Sequence, residues 1–229
     1  MRSVPATKGD PATLLKRFLK PGMTAVDVGA AVGHITELMA KCVGPTGTVV
    51  AIEADPRKAS ALGGVKANYP WVDVLITGAG EATGTFTLHR AGSTQGSRWH
   101  GAGDSVTADM RTLDDLLEPY PHIDVVKMDI QGSEAHALDG ATKLLQRCPM
   151  WVIELWPWGL WTAGRSGRDV IEAFRAAGLR PRWADGSVID DYAIDAFDGH
   201  RGTERHSPMR NIVIEPPDQR NWWNISAGR

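Results

Sequence analysis

Cysteine, net charge and long apolar runs are all scarce in this chain, and each scarcity excludes something. Two cysteines in 229 residues, Cys42 and Cys148, cannot build a disulfide framework. Their helix and strand contexts mark them as buried thiols of a reducing compartment. No apolar run approaches the ~18 residues of a membrane-spanning helix, and the first residues lack the apolar core of a secretory signal. A cytoplasmic protein with no membrane partner is therefore expected. The formal net charge is only −2, so the basic footprint of a nucleic-acid binder is missing. Residues 1–229 suit one α/β domain, large enough to need no metal or disulfide staple. Neither an internal repeat nor a second domain is visible. Residues 1–20 read as an N-terminal helical segment, 21–215 as the core and 216–229 as a tail.

Glycine is absent from two places where one class of ligand would require it. Thr24-Ala25-Val26-Asp27-Val28-Gly29-Ala30-Ala31-Val32-Gly33-His34 reads as a buried strand, a tight loop and a helix start. Thr48-Val49-Val50-Ala51-Ile52-Glu53 is a second apolar strand closed by a carboxylate. Parallel strands joined by a helix put the loop beside Glu53, where a ribose lying on the loop can donate both hydroxyls to the acid. A dinucleotide site needs G-x-G-x-x-G, the second glycine for the approach of pyrophosphate and the third for helix packing. Here Ala31 and His34 hold those positions, and Asp27 adds negative charge close by. S-adenosylmethionine suits the loop better, because it has no phosphate and carries a sulfonium and an ammonium that acids stabilise. An ordinary βαβ turn with a surface Glu53 is the bland alternative.

The remaining elements follow from pattern and punctuation. Asp10-Pro11 caps an amphipathic helix over 12–20, stopped by Pro21-Gly22. After the first strand a helix spans roughly 34–42, and Asp55-Pro56 opens another that fades near Gly63-Gly64. Strands are predicted over 71–76, 123–129, 150–155, 180–184 and 210–215, with a short edge strand at 85–89 and a small one at 106–110. Short and longer helices are predicted over 113–117, 132–145 and 167–177. Residues 91–104, rich in Gly, Ser and Gln, read as a lid or binding loop. Strands alternating with helices predict a doubly wound, mostly parallel α/β sheet.

With that order in place, the chain resembles the FkbM family of S-adenosylmethionine-dependent methyltransferases. Three blocks carry the likeness: Val26 to Gly33 with Glu53; Thr112-Leu113-Asp114-Asp115 with Lys127-Met128-Asp129-Ile130-Gln131-Gly132-Ser133-Glu134 and Leu138-Asp139-Gly140-Ala141; and Val152-Ile153-Glu154-Leu155-Trp156-Pro157. The likeness runs from about residue 20 to 215. It implies the seven-stranded, Rossmann-like class I methyltransferase sheet with an antiparallel last strand. It also implies that Gly29, Ala30 and Gly33 meet the methionine end of the cofactor with Asp27 nearby. Glu53 would hold the ribose, Ala54 would border the adenine, and Gly80 and Glu81 would lie on the adenine side. Two positions depart from the family pattern: Gln131 replaces a Glu, and Trp156 replaces a His.

Side chains at the carboxyl ends of the strands are the candidates for chemistry. Asp129 ends the fourth strand and is the first choice for a functional carboxylate facing cofactor, although it also suits a helix cap. Glu134 sits in the first turn of the next helix, where it can act or simply offset the dipole. Lys127 can neutralise Asp129 or serve as a structural ion-pair partner. His136 is a candidate base, with His100, His200 and His206 in loops. Gln131, Glu154, Trp156 and Trp158 are the candidate substrate contacts, and Trp161 extends an aromatic wall or merely packs a loop. No metal site is expected, since no set of oxygen ligands stands out after the fifth strand.

The expected activity is methyl transfer from S-adenosylmethionine to a hydroxyl of a small molecule in a natural-product, sugar or lipid pathway. N-methylation of an amine or peptide, a nicotinamide-dependent oxidoreductase and a non-catalytic cofactor-binding domain are the alternatives. A small-molecule substrate is the expected partner, and a homo-oligomer is left open.

Overall fold

The structure, a computed structural model, describes residues 9–90, 97–98, 104–200 and 207–215. Most of the loop read at 91–104, the histidines His100 and His206, and the tail with Trp222 and Trp223 lie outside them.

Asp10 accepts the Thr13 N–H and Pro11 occupies the first turn, which starts α1 at Pro11–Phe18. The first crossover is β1 (Thr24–Val28), α2 (His34–Val43) and β2 (Thr48–Glu53), followed by α3 (Ala59–Asn68) and β3 (Val72–Ile76). A small sheet of β4 (Gly78–Ala79), β5 (Gly84–Arg90), β6 (Ser97–Arg98) and β7 (Ser105–Arg111) comes next. After α4 (Leu113–Leu116) the chain re-enters the main sheet through β8 (Val125–Met128). Two short helices, α5 (Glu134–Asp139) and α6 (Thr142–Arg147), lead to β9 (Met150–Leu155) and α7 (Pro157–Thr162). A Ser166–Asp169 capping box opens α8 (Gly167–Ala176). Then β10 (Arg180–Trp183), α9 (Asp191–Gly199) and β11 (Arg210–Glu215) complete the described chain.

Seven strands form the main sheet in the order β10-β11-β9-β8-β1-β2-β3. All are parallel except β11, which runs antiparallel to both β9 and β10. The chain moves outward from β1 through β2 to β3, then returns to the other side of β1 with β8. That reversal leaves a crevice above β1 and β8, where open α/β sheets bind ligands.

Alternation along the strands assigns the two faces. Ala25, Val49, Ala51, Val125, Val152 and Val213 pack with Leu14, Leu15, Phe18, Met39 and Leu62 of α1, α2 and α3. Val26, Val50, Val126, Trp151, Ile153 and Ile212 pack with Leu138, Leu144, Ile171, Phe174 and Phe197 on the other face. No described helix is long and apolar enough to cross a membrane.

Four elements differ from the reading of the sequence. The helix expected over 132–145 is broken at Gly140, whose own carbonyl accepts the Asp114 N–H. A side chain there would fall 2.1 Å from the Gly80 carbonyl oxygen. The helix expected to fade at Gly63-Gly64 runs on to Asn68, with open space beside both glycines. The strands at 85–89 and 106–110 pair antiparallel with each other as β5 and β7, away from the main sheet. Finally, Cys148 is buried but Cys42 is only half-buried.

Trp151 is fully buried and meets Phe174 edge-on, with ring centres 5.3 Å apart. Trp151→Ala is expected to lower the unfolding free energy by about 3–5 kcal/mol, measured by urea denaturation. A loss below about 1 kcal/mol would show that this face can collapse around the gap.

Candidate functional site

The turn after β1 is held from three sides. Gly29 and Ala30 both donate to the Ile52 carbonyl, at 2.9 and 3.1 Å. Gly29 has φ of 84°, and a Cβ there would lie 2.0 Å from the Asp129 carbonyl oxygen, so only glycine permits the approach of the two turns. Gly33 packs against Val65 and Leu62 of α3 in the same glycine-dependent way. Ala31 is left-handed, with φ of 50°. Its N–H donates to Glu53 Oε2 at 2.7 Å, while Glu53 Oε1 accepts the Asp55 N–H at 2.8 Å. Burial raises the Glu53 pKa, and these two backbone donors oppose the rise.

Beside that turn runs a row of polar side chains on one face of the sheet. The registers Asp27↔Lys127, Lys127↔Val152 and Asn211↔Glu154, together with alternation, place Asp27, Lys127, Glu154 and Asn211 on the face covered by α1 and α2. Glu53 has the same parity on β2. The row therefore crosses the five adjacent strands β11, β9, β8, β1 and β2. Asp27 is fully buried; it pairs with Lys127 at 3.0 Å and accepts from the Thr36 hydroxyl at 2.7 Å. Lys127 also donates to the Gly29 carbonyl at 3.2 Å. Burial works against the Lys127 cation, but Asp27, then Asp129 and Glu154, outweigh it and hold its pKa above the usual lysine value. Burial and the neighbouring Asp129 push the Glu154 carboxyl up to about 7 against the pull of Lys127.

The turn after β8 is strained and buttressed from below. Gln131 is left-handed, with φ of 57°, and its amide donates to Asp129 Oδ1 at 2.6 Å. Glu134, 1% exposed, accepts the Ile130 and Gly132 N–H groups through Oε1 at 3.0 and 3.2 Å. Its Oε2 is buried with no partner among the described residues. Burial pushes this carboxyl up to about 7. Gly132 has φ of 103°, and a Cβ there would sit 2.2 Å from the Gly159 backbone, so the turn rests directly on α7.

A pocket opens between these turns. Val28, Gly29 and Ala31 line it from β1, and Ile52, Glu53, Ala54 and Lys58 from β2 and beyond. Thr77, Gly78 and Ala79 form the next side, with Phe86 and Leu88 of β5 against them. Asp129, Ile130, Gln131 and Ser133 close the circle. Of the candidates from sequence, Gly29, Glu53, Ala54, Asp129 and Gln131 are thus brought together. Asp27, Ala30, Gly33 and Glu134 lie behind the lining and shape it. Gly80 and Glu81 fall just outside it, one step past Thr77–Ala79. Lys127, read as either a neutraliser of Asp129 or a structural ion-pair partner, makes its ion pair with Asp27.

Other candidates are placed elsewhere. Glu154 stands at the end of β9, next to Asp129 but outside the lining. Trp156 is buried, with its ring 5.1 Å from that of Trp158, and Trp161 is 51% exposed; none of the three lines the pocket. His136 faces Glu81 through Nδ1 at 3.2 Å and the Ala163 carbonyl through Nε2 at 3.0 Å, away from the pocket. Glu81, His136 and Asp139 bring possible ligand atoms within 4.8 Å of one another. The Arg165 guanidinium already pairs with both acids of that group. His200 ends α9.

Sequence reasoning missed Thr77–Ala79, Phe86 and Leu88. Both signals existed: Thr77 directly follows a parallel strand, and Phe86 and Leu88 form the apolar face of a short hairpin that must cover something.

The sequence pattern described as the methyltransferase FkbM domain matches residues 27–181. A structure of an FkbM methyltransferase from Methylobacillus flagellatus is 19% identical, with a TM-score of 0.52, over 84% of this chain and 43% of that one. Fibrillarin from Aeropyrum pernix, solved with natively bound S-adenosyl-L-methionine, is 14% identical with a TM-score of 0.50, over 88% of this chain and 72% of that one. At these identities the likeness establishes the fold. A 43-residue stretch is 51% identical to a protein-L-isoaspartate O-methyltransferase of Triticum aestivum, covering 19% of each protein. The chain thus spans about a fifth of that curated relative and under half of the Methylobacillus protein.

Two outcomes follow from the buried charges. Lys127→Met strands Asp27 in the core and should cost about 3–5 kcal/mol, most of it recovered in the double variant with Asp27→Asn; unfolding in urea reads both. An unaltered stability for Lys127→Met alone would contradict the pairing. Glu134 has its folded pKa raised above the unfolded value, so it favours the fold below about pH 4.5 and loses that contribution as pH rises through about 7. Glu134→Gln should therefore gain on the unaltered protein by on the order of 3 kcal/mol between pH 4.5 and 8. Parallel pH profiles for the two proteins would refute this.

Proposed function

Because the chain belongs to the FkbM methyltransferase family, we propose that it transfers the methyl group of S-adenosylmethionine to a hydroxyl of a small molecule. One observation carries the choice of cofactor: the Ala31 N–H is bonded to Glu53. In a dinucleotide site the backbone of that loop faces a pyrophosphate. Here the loop presents a carboxylate in the same place, with Asp129 across the pocket. A pyrophosphate would meet two carboxylates against one lysine, Lys58, whereas a sulfonium nucleoside finds the acidic excess favourable.

The residues fit that cofactor. Each Glu53 oxygen accepts one backbone N–H and keeps a lone pair, which two ribose hydroxyls can use. Ile52, Ala54, Phe86 and Leu88 supply apolar surface for a base. S-adenosylmethionine supplies a methyl carbon already activated by positively charged sulfur. What remains for the protein is to align an acceptor at near-attack distance and, for a hydroxyl, to take its proton. Surplus carboxylates support a hydroxyl acceptor: Asp27, Asp129 and Glu154 surround the single cation Lys127. The strained backbones of Ala31 and Gln131 both border the pocket, which fits a pre-organised site. A role in small-molecule biosynthesis is part of the same reading.

Calorimetry with S-adenosylhomocysteine and with NADH tests the cofactor. The first should bind and the second should not. Glu53→Ala should weaken S-adenosylhomocysteine by about ten- to a hundredfold, as expected for hydrogen bonds to a charged group. Binding of NADH with no response to S-adenosylhomocysteine would overturn the reading.

A further inference from the structure

Two hydrogen-bond acceptors stand side by side at the outer end of the polar row, and neither has a donor among the described residues. Glu154 and Asn211 are register partners on β9 and β11, so their side chains leave the same face about 5 Å apart. The Asn211 Nδ2 donates to the Gly9 carbonyl at 2.8 Å. A carbonyl can only accept, so the amide cannot be flipped, and Oδ1 is the atom left over. That oxygen is buried without a partner among the described residues. Glu154 receives no hydrogen bond from any described residue either, while its neighbours are already committed. Lys127 is held by Asp27 and the Gly29 carbonyl, and Asp129 Oδ1 by Gln131.

An ionised Glu154 beside a fixed amide oxygen is a poor arrangement, because both groups only accept. A protonated Glu154 resolves it, since its O–H can donate to Asn211 Oδ1. The surroundings favour that form. Asp129 and Lys127 face Glu154 from β8 and its turn, with Asp27 behind Lys127 on β1, while β11 offers only the uncharged Asn211. Lys127 is thus one cation among three acids. Burial, reinforced by repulsion from Asp129, raises the carboxyl pKa to about 7.

We propose that Glu154 takes the proton of the methyl acceptor and that Asn211 is the positioning residue that holds the protonated acid. The proposal rests on the hydroxyl-methylating function above and deepens it. As the acceptor oxygen bonds to the methyl carbon, the carbon–sulfur bond breaks with its electron pair left on sulfur, and the hydroxyl proton passes to Glu154. One positive and one negative charge disappear together, so a poorly solvated site gains no net charge in the step. Loss of that proton from Glu154 to solvent restores the starting carboxylate. The acceptor class is accordingly an alcohol of ordinary acidity, which needs a base, rather than an amine that arrives neutral.

Infrared difference titration of the carboxyl band tests this without a known acceptor. In the unaltered protein with S-adenosylhomocysteine, a carboxyl titrating near pH 7 should be present, and Glu154→Gln should remove it. Glu134→Gln, run alongside, identifies the second raised carboxyl so that the two are not confused. Asn211→Ala should shift the Glu154 titration down by about one pH unit, because a hydrogen bond to the neutral form is lost. Calorimetric affinity for S-adenosylhomocysteine should change less than threefold in Glu154→Gln and Asn211→Ala. A Glu154 that titrates below pH 5, or a titration that ignores Asn211→Ala, overturns the assignment while leaving the methyltransferase reading intact. Failure of the unaltered protein to bind S-adenosylhomocysteine overturns that reading itself, and this proposal with it.

Discussion

One buried cation organises the site. Lys127 lies between Asp27 and the Gly29 carbonyl, and both contacts cross from β8 to β1, the two strands that flank the reversal of strand order. Taking an ion pair out of water is costly, and such pairs are retained where they fix a geometry. Here the geometry is the turn after β1. Thr36 of α2 completes the Asp27 carboxylate, so helix, strand and turn are tied at one point. Of the other acids, Asp129 and Glu154 act on Lys127 through their charge alone, while Glu53 bonds the Ala31 and Asp55 N–H groups. They differ in what else they meet, and their tasks divide accordingly.

That division accounts for the choice of ligand. Glu53 claims the backbone donor of Ala31 and so removes the group on which a pyrophosphate would rest. Asp129 is steadied by Gln131, the residue that replaces an acid in the family pattern. An amide at that position lets Asp129 keep a single well-directed hydrogen bond without a further negative charge in the pocket. Glycines at 29, 132 and 159 allow the turns to touch backbone to backbone, which fixes the walls of the pocket to within the size of a methyl group. Glu134 buttresses the second turn from inside the protein, which explains a buried acid in a position where a simple helix cap would be exposed.

Much of this was legible in the residues. The strand–turn–acid unit and the parallel sheet follow from the apolar pattern, and the places of Glu53, Asp129 and Gln131 from the rule that ligands sit at strand carboxyl ends, while Ala54 was implied only by the family resemblance. Asp27 was harder. Its alternation with Val26 and Val28 places it on the face of Ala25, but its partner depends on the register of β1 with β8, which no local pattern encodes. The same holds for Glu154 and Asn211, separated by 57 positions and paired only through an antiparallel register. Glu81 and His136 looked like site residues because of their place in the chain, yet they join Arg165 and Asp139 on the far side of α5. The break between α5 and α6 was hidden because Gly140 is required by a contact with Gly80, distant in sequence.

The central claim is that the first turn is shaped for a phosphate-free, positively charged nucleoside, with Glu53 as its ribose acceptor. A crystal structure of the protein grown with S-adenosylhomocysteine tests it most directly. The account predicts both ribose hydroxyls within hydrogen-bond distance of the Glu53 carboxylate, with the Ala31 N–H still bonded to Glu53. A phosphate seated on the Ala31 N–H, with Glu53 turned away, would contradict it.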